Sequence, residues 1–350
     1  MDEGSLRRSP LPAFPAAHQI VLPTPWPVGP VQIYLLESEP LTLVDTGVRS
    51  PASWSALEAS LDALGYGVDD VQRVVLTHWH AESLRRAGAE LEVWSHELEA
   101  TWCEDFSRER DLAIEATESL FREAGVPEDI LAAQRAQRRA WLEQDPLCEP
   151  TRVDRVLREG DRVEFKDFAL EVLHAPGHTE GHLLLHEPSS GTLFTGDHLM
   201  GNAVPFTDYH YVEGTPEASD PLRRQPRFRG LPLYLESLRA LQRRSFRHIL
   251  PAHGGVIERP SRALEDARLF YEVRVQRVER ALGRVGAEAG APVSPWEVWR
   301  GVFPKADPVD EMRNRMYLVL GVLDLLEAEA RVAVERDPQG VLRYRPTPAA

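Results

Sequence analysis

Two histidines one residue apart, His78 and His80, follow directly on the apolar run Val74-Val75-Leu76. Alternate imidazoles at a strand end can grip one metal ion. Zinc takes three or four N, O or S donors, however, so the pair needs partners from elsewhere in the chain. Candidates come in order: His178 in Ala175-Pro176-Gly177-His178-Thr179-Glu180-Gly181-His182, Asp197 in Phe194-Thr195-Gly196-Asp197-His198, and His253 in Leu250-Pro251-Ala252-His253-Gly254-Gly255. Each sits just past an apolar, strand-like run. Hydrolysis is one chemistry open to such a set, because zinc lowers the pKa of its water to about 7 and makes it nucleophilic near neutrality. Three neutral histidines also leave one position free for water or substrate.

With Leu43-Val44-Asp45-Thr46-Gly47 upstream, the ordered set resembles the five-motif series of the metallo-β-lactamase superfamily, over roughly residues 17 to 258. The resemblance implies an α/β chain folded as a four-layer αββα sandwich. It also implies a first metal held by His78, His80 and His178, with Asp197 as a bridging or fourth ligand. Asp45 would correspond to the family's buried aspartate, which orients the His-x-His loop; ligating histidines usually need such a partner on the other ring nitrogen.

One departure from the family pattern carries weight. Its first motif usually reads His-x-His-x-Asp-His, and here Glu82 and Ser83 occupy the last two positions. A second metal would draw on Asp197, His253 and Glu82. Glutamate is longer than aspartate by a methylene, whereas metal–ligand distances tolerate only about 0.2 Å, and a protonated serine is a poor zinc ligand. The expectation is one tightly held zinc and a second site that is weak or absent; iron and manganese suit the same donor types. Three readings stand for Glu82: a displaced ligand, a general base on the water, or the start of a helix at 82–87 favoured by its dipole.

His182 reads either as a group behind the ligands or as packed core, and His198, beside Asp197, as lining the cleft. His18, His96, His174, His186 and His248 fall in or beside strand patterns and read as structural. The segment from Met200 to Gly230 holds Tyr209, His210 and Tyr211, then Arg223, Arg224, Arg227 and Arg229. By the resemblance this stretch borders the active site, which makes Tyr209, His210 and Tyr211 candidates for substrate contact and the arginines candidates for phosphate or carboxylate. The plain alternative is a solvated surface loop.

The elements that must position these groups follow from pattern. Residues 1–16, with Pro10, Pro12 and Pro15, read as a flexible arm before a catalytic domain at 17–258. Strands are expected at about 18–22, 31–37 and 41–45, broken by Pro23, Pro25 and Pro27, which cannot sit inside a sheet. Ser50-Pro51 opens a helix by an N-cap and N1 proline, with Trp54, Leu57, Leu61 and Leu64 at helical spacing. A strand at 72–77 delivers the histidine loop, another follows at 91–95, and about 97–146 reads as a helical insertion, either a lid or an oligomer contact. Strands resume at about 161–165, 168–174, 182–187 and 192–196, with a helix at 232–244. From 259 to 350 come helices at about 261–284, after Ser294-Pro295 and at 308–329, then a hairpin: a winged-helix-like domain. The third helix turns apolar, which suits packing on a domain or a second subunit more than nucleic acid.

Composition bounds the function. A net charge of −15 disfavours general attraction to a phosphate backbone. Two cysteines, Cys103 and Cys148, argue against a disulfide scaffold or a Cys-rich metal site. No apolar run approaches about 18 residues and the start lacks the form of a secretory signal, so a cytoplasmic protein is expected. Lys166 and Lys305 are the only lysines, which with abundant Leu, Ala, Pro and Arg suggests a GC-rich bacterial genome. The leading reading is a metal-dependent hydrolase of a small ester, thioester, lactone or phosphate-bearing substrate. The alternatives are a nuclease of the same superfamily, and a regulatory or binding protein whose second metal site has decayed.

Overall fold

The computed structural model describes residues 11, 14–79, 91–142, 150–216, 218 and 220–347, excluding the side chains of 140–142. The expectations for His80, Glu82, Ser83 and a helix at 82–87 lie outside these residues, as does Cys148.

In chain order the elements are β1 (Ala17–Leu22), β2 (Val31–Leu36), β3 (Thr42–Val44), α1 (Pro51–Leu64), β4 (Arg73–Val75) and β5 (Glu92–His96). Then follow α2 (Glu97–Glu104), α3 (Phe106–Glu123), α4 (Glu128–Leu142), β6 (Arg155–Leu157), β7 (Arg162–Glu164), β8 (Ala169–His174), β9 (Leu183–Glu187) and β10 (Thr192–Gly196). The chain continues through β11 (Tyr209–Tyr211), β12 (Arg227–Arg229), α5 (Gly230–Gln242), β13 (His248–Pro251), α6 (Pro260–Ala289), α7 (Pro295–Val302), α8 (Met312–Ala328), β14 (Val332–Arg336) and β15 (Leu342–Pro346). Among the described residues the expected strands and helices recur within a few residues of their patterned positions. The strands β6, β11 and β12 were not foreseen, since three residues are too few to show an alternation.

Contacts group the chain into two compact units, 1–109 with 146–205 and 238–267, and 110–145 with 206–237 and 268–350. This grouping differs from a linear split near residue 259, because most of the helical segment and the stretch after the Gly-Asp motif cluster with the C-terminal helices.

In the first unit a six-stranded sheet runs β1-β2-β3-β4-β5-β6 and a five-stranded sheet runs β13-β10-β9-β8-β7. Strands β3 and β4 are parallel, so a crossover must join them, and α1 supplies it. The Ser50 hydroxyl accepts the Ser53 N–H at 3.1 Å to start that helix, and Gly65 at φ 90° ends it. Strand β2 is buried on both faces: Tyr34 and Leu36 enter the core that also holds Val75, Leu185, Phe194 and Leu250. Its Ile33 and Leu35 enter a second core with Leu57 and Leu61 of α1. Arg73 is buried between aromatic rings, its guanidinium 4.4 Å from the centroids of both Trp94 and Phe165, an arrangement that offsets desolvation through the ring quadrupoles. The end of the expected flexible arm is seated in the core, with Leu11 and Phe14 both buried and Phe14 edge-on to Phe168 at 4.9 Å. Burying two large apolar side chains outweighs the disorder that three prolines suggested.

The second unit is mainly helical. A capping box between Ser294 and Glu297 opens α7, and α8 is apolar because Met316, Val319, Leu320, Leu323 and Leu326 all pack inward. Strands β14 and β15 form the terminal hairpin. Among the described residues no helix is long and apolar enough to cross a membrane.

Candidate metal centre

Four of the expected ligands meet at one place. His78 follows β4, His178 follows β8, Asp197 follows β10 and His253 follows β13, so each is delivered by the C-terminal end of a strand. His78 Nε2 and His178 Nε2 lie 3.9 and 3.5 Å from Asp197 Oδ2. On the other side, His253 Nε2 lies 3.6 Å from Asp197 Oδ1. The carboxylate thus divides its oxygens, one toward the His78 and His178 pair and one toward His253. Ligand atoms of His78, His178 and Asp197 lie within 4.8 Å of one another.

Hydrogen bonds behind the rings fix which nitrogens face inward. His253 Nδ1 is 2.9 Å from the Pro30 carbonyl oxygen, which can only accept, so Nδ1 carries a proton and Nε2 is the nitrogen left to face the centre. His78 Nδ1 is 2.9 Å from Thr77 Oγ1. That hydroxyl lies 2.9 and 3.0 Å from the two Asp45 oxygens and donates there, so it accepts from His78 Nδ1–H and turns the His78 Nε2 lone pair inward. Asp197 Oδ1 is buried with no hydrogen-bond donor among the described residues. Imidazole nitrogens gathered around a buried carboxylate form a donor set that a divalent cation satisfies, so these residues fit a metal.

The surrounding groups hold this arrangement. Asp45, at φ 62°, accepts the Thr77 backbone N–H at 2.8 Å as well as the hydroxyl. Burial pushes its carboxyl up to about 7, against the opposing effect of the Thr77 bonds. His182 is fully buried, stacks on His78 at 4.9 Å, and accepts the Asp197 backbone N–H through Nε2 at 3.2 Å. His198 is also fully buried, and burial lowers its pKa to about 3; it sits against His182 at 5.9 Å, inside the wall and not along a cleft surface.

The three substrate candidates belong to the second unit. Tyr209 is 1% exposed; its hydroxyl donates to Asp324 at 2.6 Å and accepts from Arg227 at 3.0 Å. His210 pairs with Asp208 at 3.0 Å, and the Tyr211 hydroxyl donates to Glu123 at 2.9 Å. Buried tyrosines need such partners, and the Tyr209 network differs from the expected substrate contact. Arg224 is likewise engaged, with Asp220 at 2.9 Å and Glu327 at 2.7 Å.

Sequence reasoning missed Glu99 and the packing role of Gly196. Glu99 is 1% exposed on α2 and accepts the backbone N–H groups of Trp79 at 2.8 Å and Gly181 at 2.5 Å. A lone glutamate in a first helical turn carries no sequence signal for this. Gly196 has φ 48°, and a Cβ there would press into Thr77 Oγ1 and lie 3.0 Å from His182 Cε1.

A model of the metallo-beta-lactamase superfamily matches residues 26–257, which span all five motifs. The chain belongs to the metallo-β-lactamase superfamily. A Bacillus subtilis (strain 168) protein named "Probable metallo-hydrolase YqjP" is 30% identical over 320 residues, 89% of this chain and 92% of that protein. Family and relative together identify a metallo-hydrolase. A metallo-beta-lactamase family protein of Thermus thermophilus superposes with a TM-score of 0.70 at 26% identity, covering 95% of this chain and 99% of that one. Shorter matches join the chain to a hydroxyacylglutathione hydrolase of Fuscovulum blasticum, 44% identical over 64 residues, and an acyl-coenzyme A thioesterase of Gallus gallus, 38% identical over 79 residues. Those stretches cover 24% and 28% of the two proteins.

Proposed function

We propose that this metallo-hydrolase cleaves small thioesters, using one zinc ion held by His78, His80, His178 and Asp197. The observation that carries the reading is the convergence of His78, His178 and His253 Nε2 atoms on the Asp197 carboxylate. The local likeness to two thioester-cleaving proteins supports the substrate class. When bound, the ion supplies Lewis acidity and an activated water. Thr77 and Pro30 hold Nδ1 of His78 and His253 so that Nε2 faces the centre, and His182 fixes the backbone of Asp197.

Hydrolysis of S-lactoylglutathione and short-chain acyl-coenzyme A, measured with and without a chelator, tests this. Turnover that chelation removes, zinc restores and Asp197→Ala abolishes supports it. Unchanged turnover in Asp197→Ala sinks the assignment of this site, and cleavage of esters or lactones alone moves the substrate class.

A second reading rests on His253, which faces the other oxygen of Asp197. Two ions about 3.5–4 Å apart are the usual support for phosphodiester cleavage. Elemental analysis separates the readings. One ion per chain in the natural protein and two in a Glu82→Asp, Ser83→His variant support the mononuclear hydrolase; two ions already in the natural protein favour the nuclease.

A further inference from the structure

The loops that carry His78 and His178 have different origins: one ends a strand of the six-stranded sheet, the other a strand of the five-stranded sheet. A metal held by both needs their separation fixed to within a few tenths of an ångström. The side chain of Glu99 spans that gap. One of its oxygens accepts from the N–H of Trp79, the residue after His78, and the other from the N–H of Gly181, three residues after His178.

Both ends of the span are locked in turn. His96 caps α2, its Nδ1 accepting the Leu98 N–H at 3.2 Å, and its ring stacks on His174 at 4.4 Å and 10°. Helix α2 therefore begins against the strand that leads into the His178 loop. Position 181 admits only glycine at this approach, since a Cβ would lie 2.7 Å from His96 Nδ1 and 2.8 Å from Glu99 Cγ. The Gly181 N–H is buried and that of Trp79 partly buried, and the Glu99 carboxylate accepts both.

We infer that Glu99 is a positioning residue for the metal centre: its carboxylate sets the distance between the two histidine-bearing loops. This rests on the metal-centre reading above. Substitution Glu99→Gln keeps size and shape but turns an amide NH₂ toward one backbone N–H, so one of the two bonds is lost and two donors oppose each other.

The test is zinc affinity by competition with a chromophoric chelator, together with the visible spectrum of the cobalt-substituted protein. Both are compared for the natural chain, Glu99→Gln and Gly181→Ala, with the melting temperature of the metal-free form as the control for folding. The expected result is a loss of zinc affinity of about 10- to 100-fold in Glu99→Gln, with an altered cobalt spectrum and a lowered but still cooperative melting transition that shows the metal-free form to be folded. Gly181→Ala, which pushes Glu99 away from the opposite side, should give the same direction of change. Natural affinity and an unchanged spectrum in either folded variant overturn the role of Glu99. A natural chain that binds neither ion overturns the metal-centre reading instead.

Discussion

Thr77 gives both its backbone N–H and its hydroxyl to the carboxylate of Asp45, at 2.8 and 2.9 Å, and the same hydroxyl accepts from His78 Nδ1. One small side chain thus carries orientation from a buried carboxylate to the His78 ring. Thr77→Val keeps the shape and the backbone bond but removes the acceptor behind His78. Zinc affinity should fall about 10- to 100-fold, read by chelator competition. Affinity within threefold of the natural value would show that the ring is held by packing against His182 alone.

Gly196→Ala should be more damaging than its single methyl suggests. The backbone lies at φ 48°, where an L side chain is strained, and the methyl meets Thr77 Oγ1 and the ring of His182 below contact distance. Neither neighbour is a flexible chain end, so the sheet ends must separate. A loss of about 1–3 kcal/mol in denaturant unfolding is expected, with weakened zinc binding. Stability equal to the natural chain would mean that the Thr77 loop yields freely.

Tyr209→Phe separates the packing role of that residue from the substrate role expected of it. Removing the hydroxyl leaves Asp324 Oδ2 and Arg227 Nη1 without their shared partner in a buried setting, a cost of about 1–3 kcal/mol. KM for the thioester should stay within twofold while the melting temperature drops. A large rise in KM at unchanged stability would restore the substrate role.

The residues that meet at Asp197 were legible because metal chemistry restricts candidates to few residue types and because each follows an apolar strand, a pattern that survives in one dimension. Asp45 was legible only through the family resemblance. Glu99 was not legible, since its function is to accept from backbone N–H groups, which every residue carries. Tyr209 misled for the opposite reason: an aromatic beside arginines reads as a binding surface, and only the buried Asp324 from α8, 115 residues away, shows it to be internal. The grouping of 110–145 and 206–237 with the C-terminal helices was hidden in the same way, because helical periodicity shows that a face is apolar but not which partner covers it.

Glu99 also predicts a pH dependence. Burial pushes its carboxyl up from 4.5 to about 7, although the hydrogen bonds from the Trp79 and Gly181 backbone N–H groups pull the other way. The folded state therefore binds a proton more tightly than the unfolded state, and the unfolded chain holds fewer protons across that window. Stability should be greatest below about 4.5, decline as pH rises toward about 7, and level off above it, with a slope approaching 1.4 kcal/mol per pH unit within the window. A carboxamide cannot ionise, so Glu99→Gln lacks this contribution. Urea unfolding of the metal-free natural and variant proteins between pH 5 and 8 isolates it as a difference, in which the shared titration of Asp45 cancels. The natural chain should lose stability relative to Glu99→Gln as pH rises to about 7. A difference that is flat with pH would mean that Glu99 is ionised throughout, its hydrogen-bond donors outweighing burial.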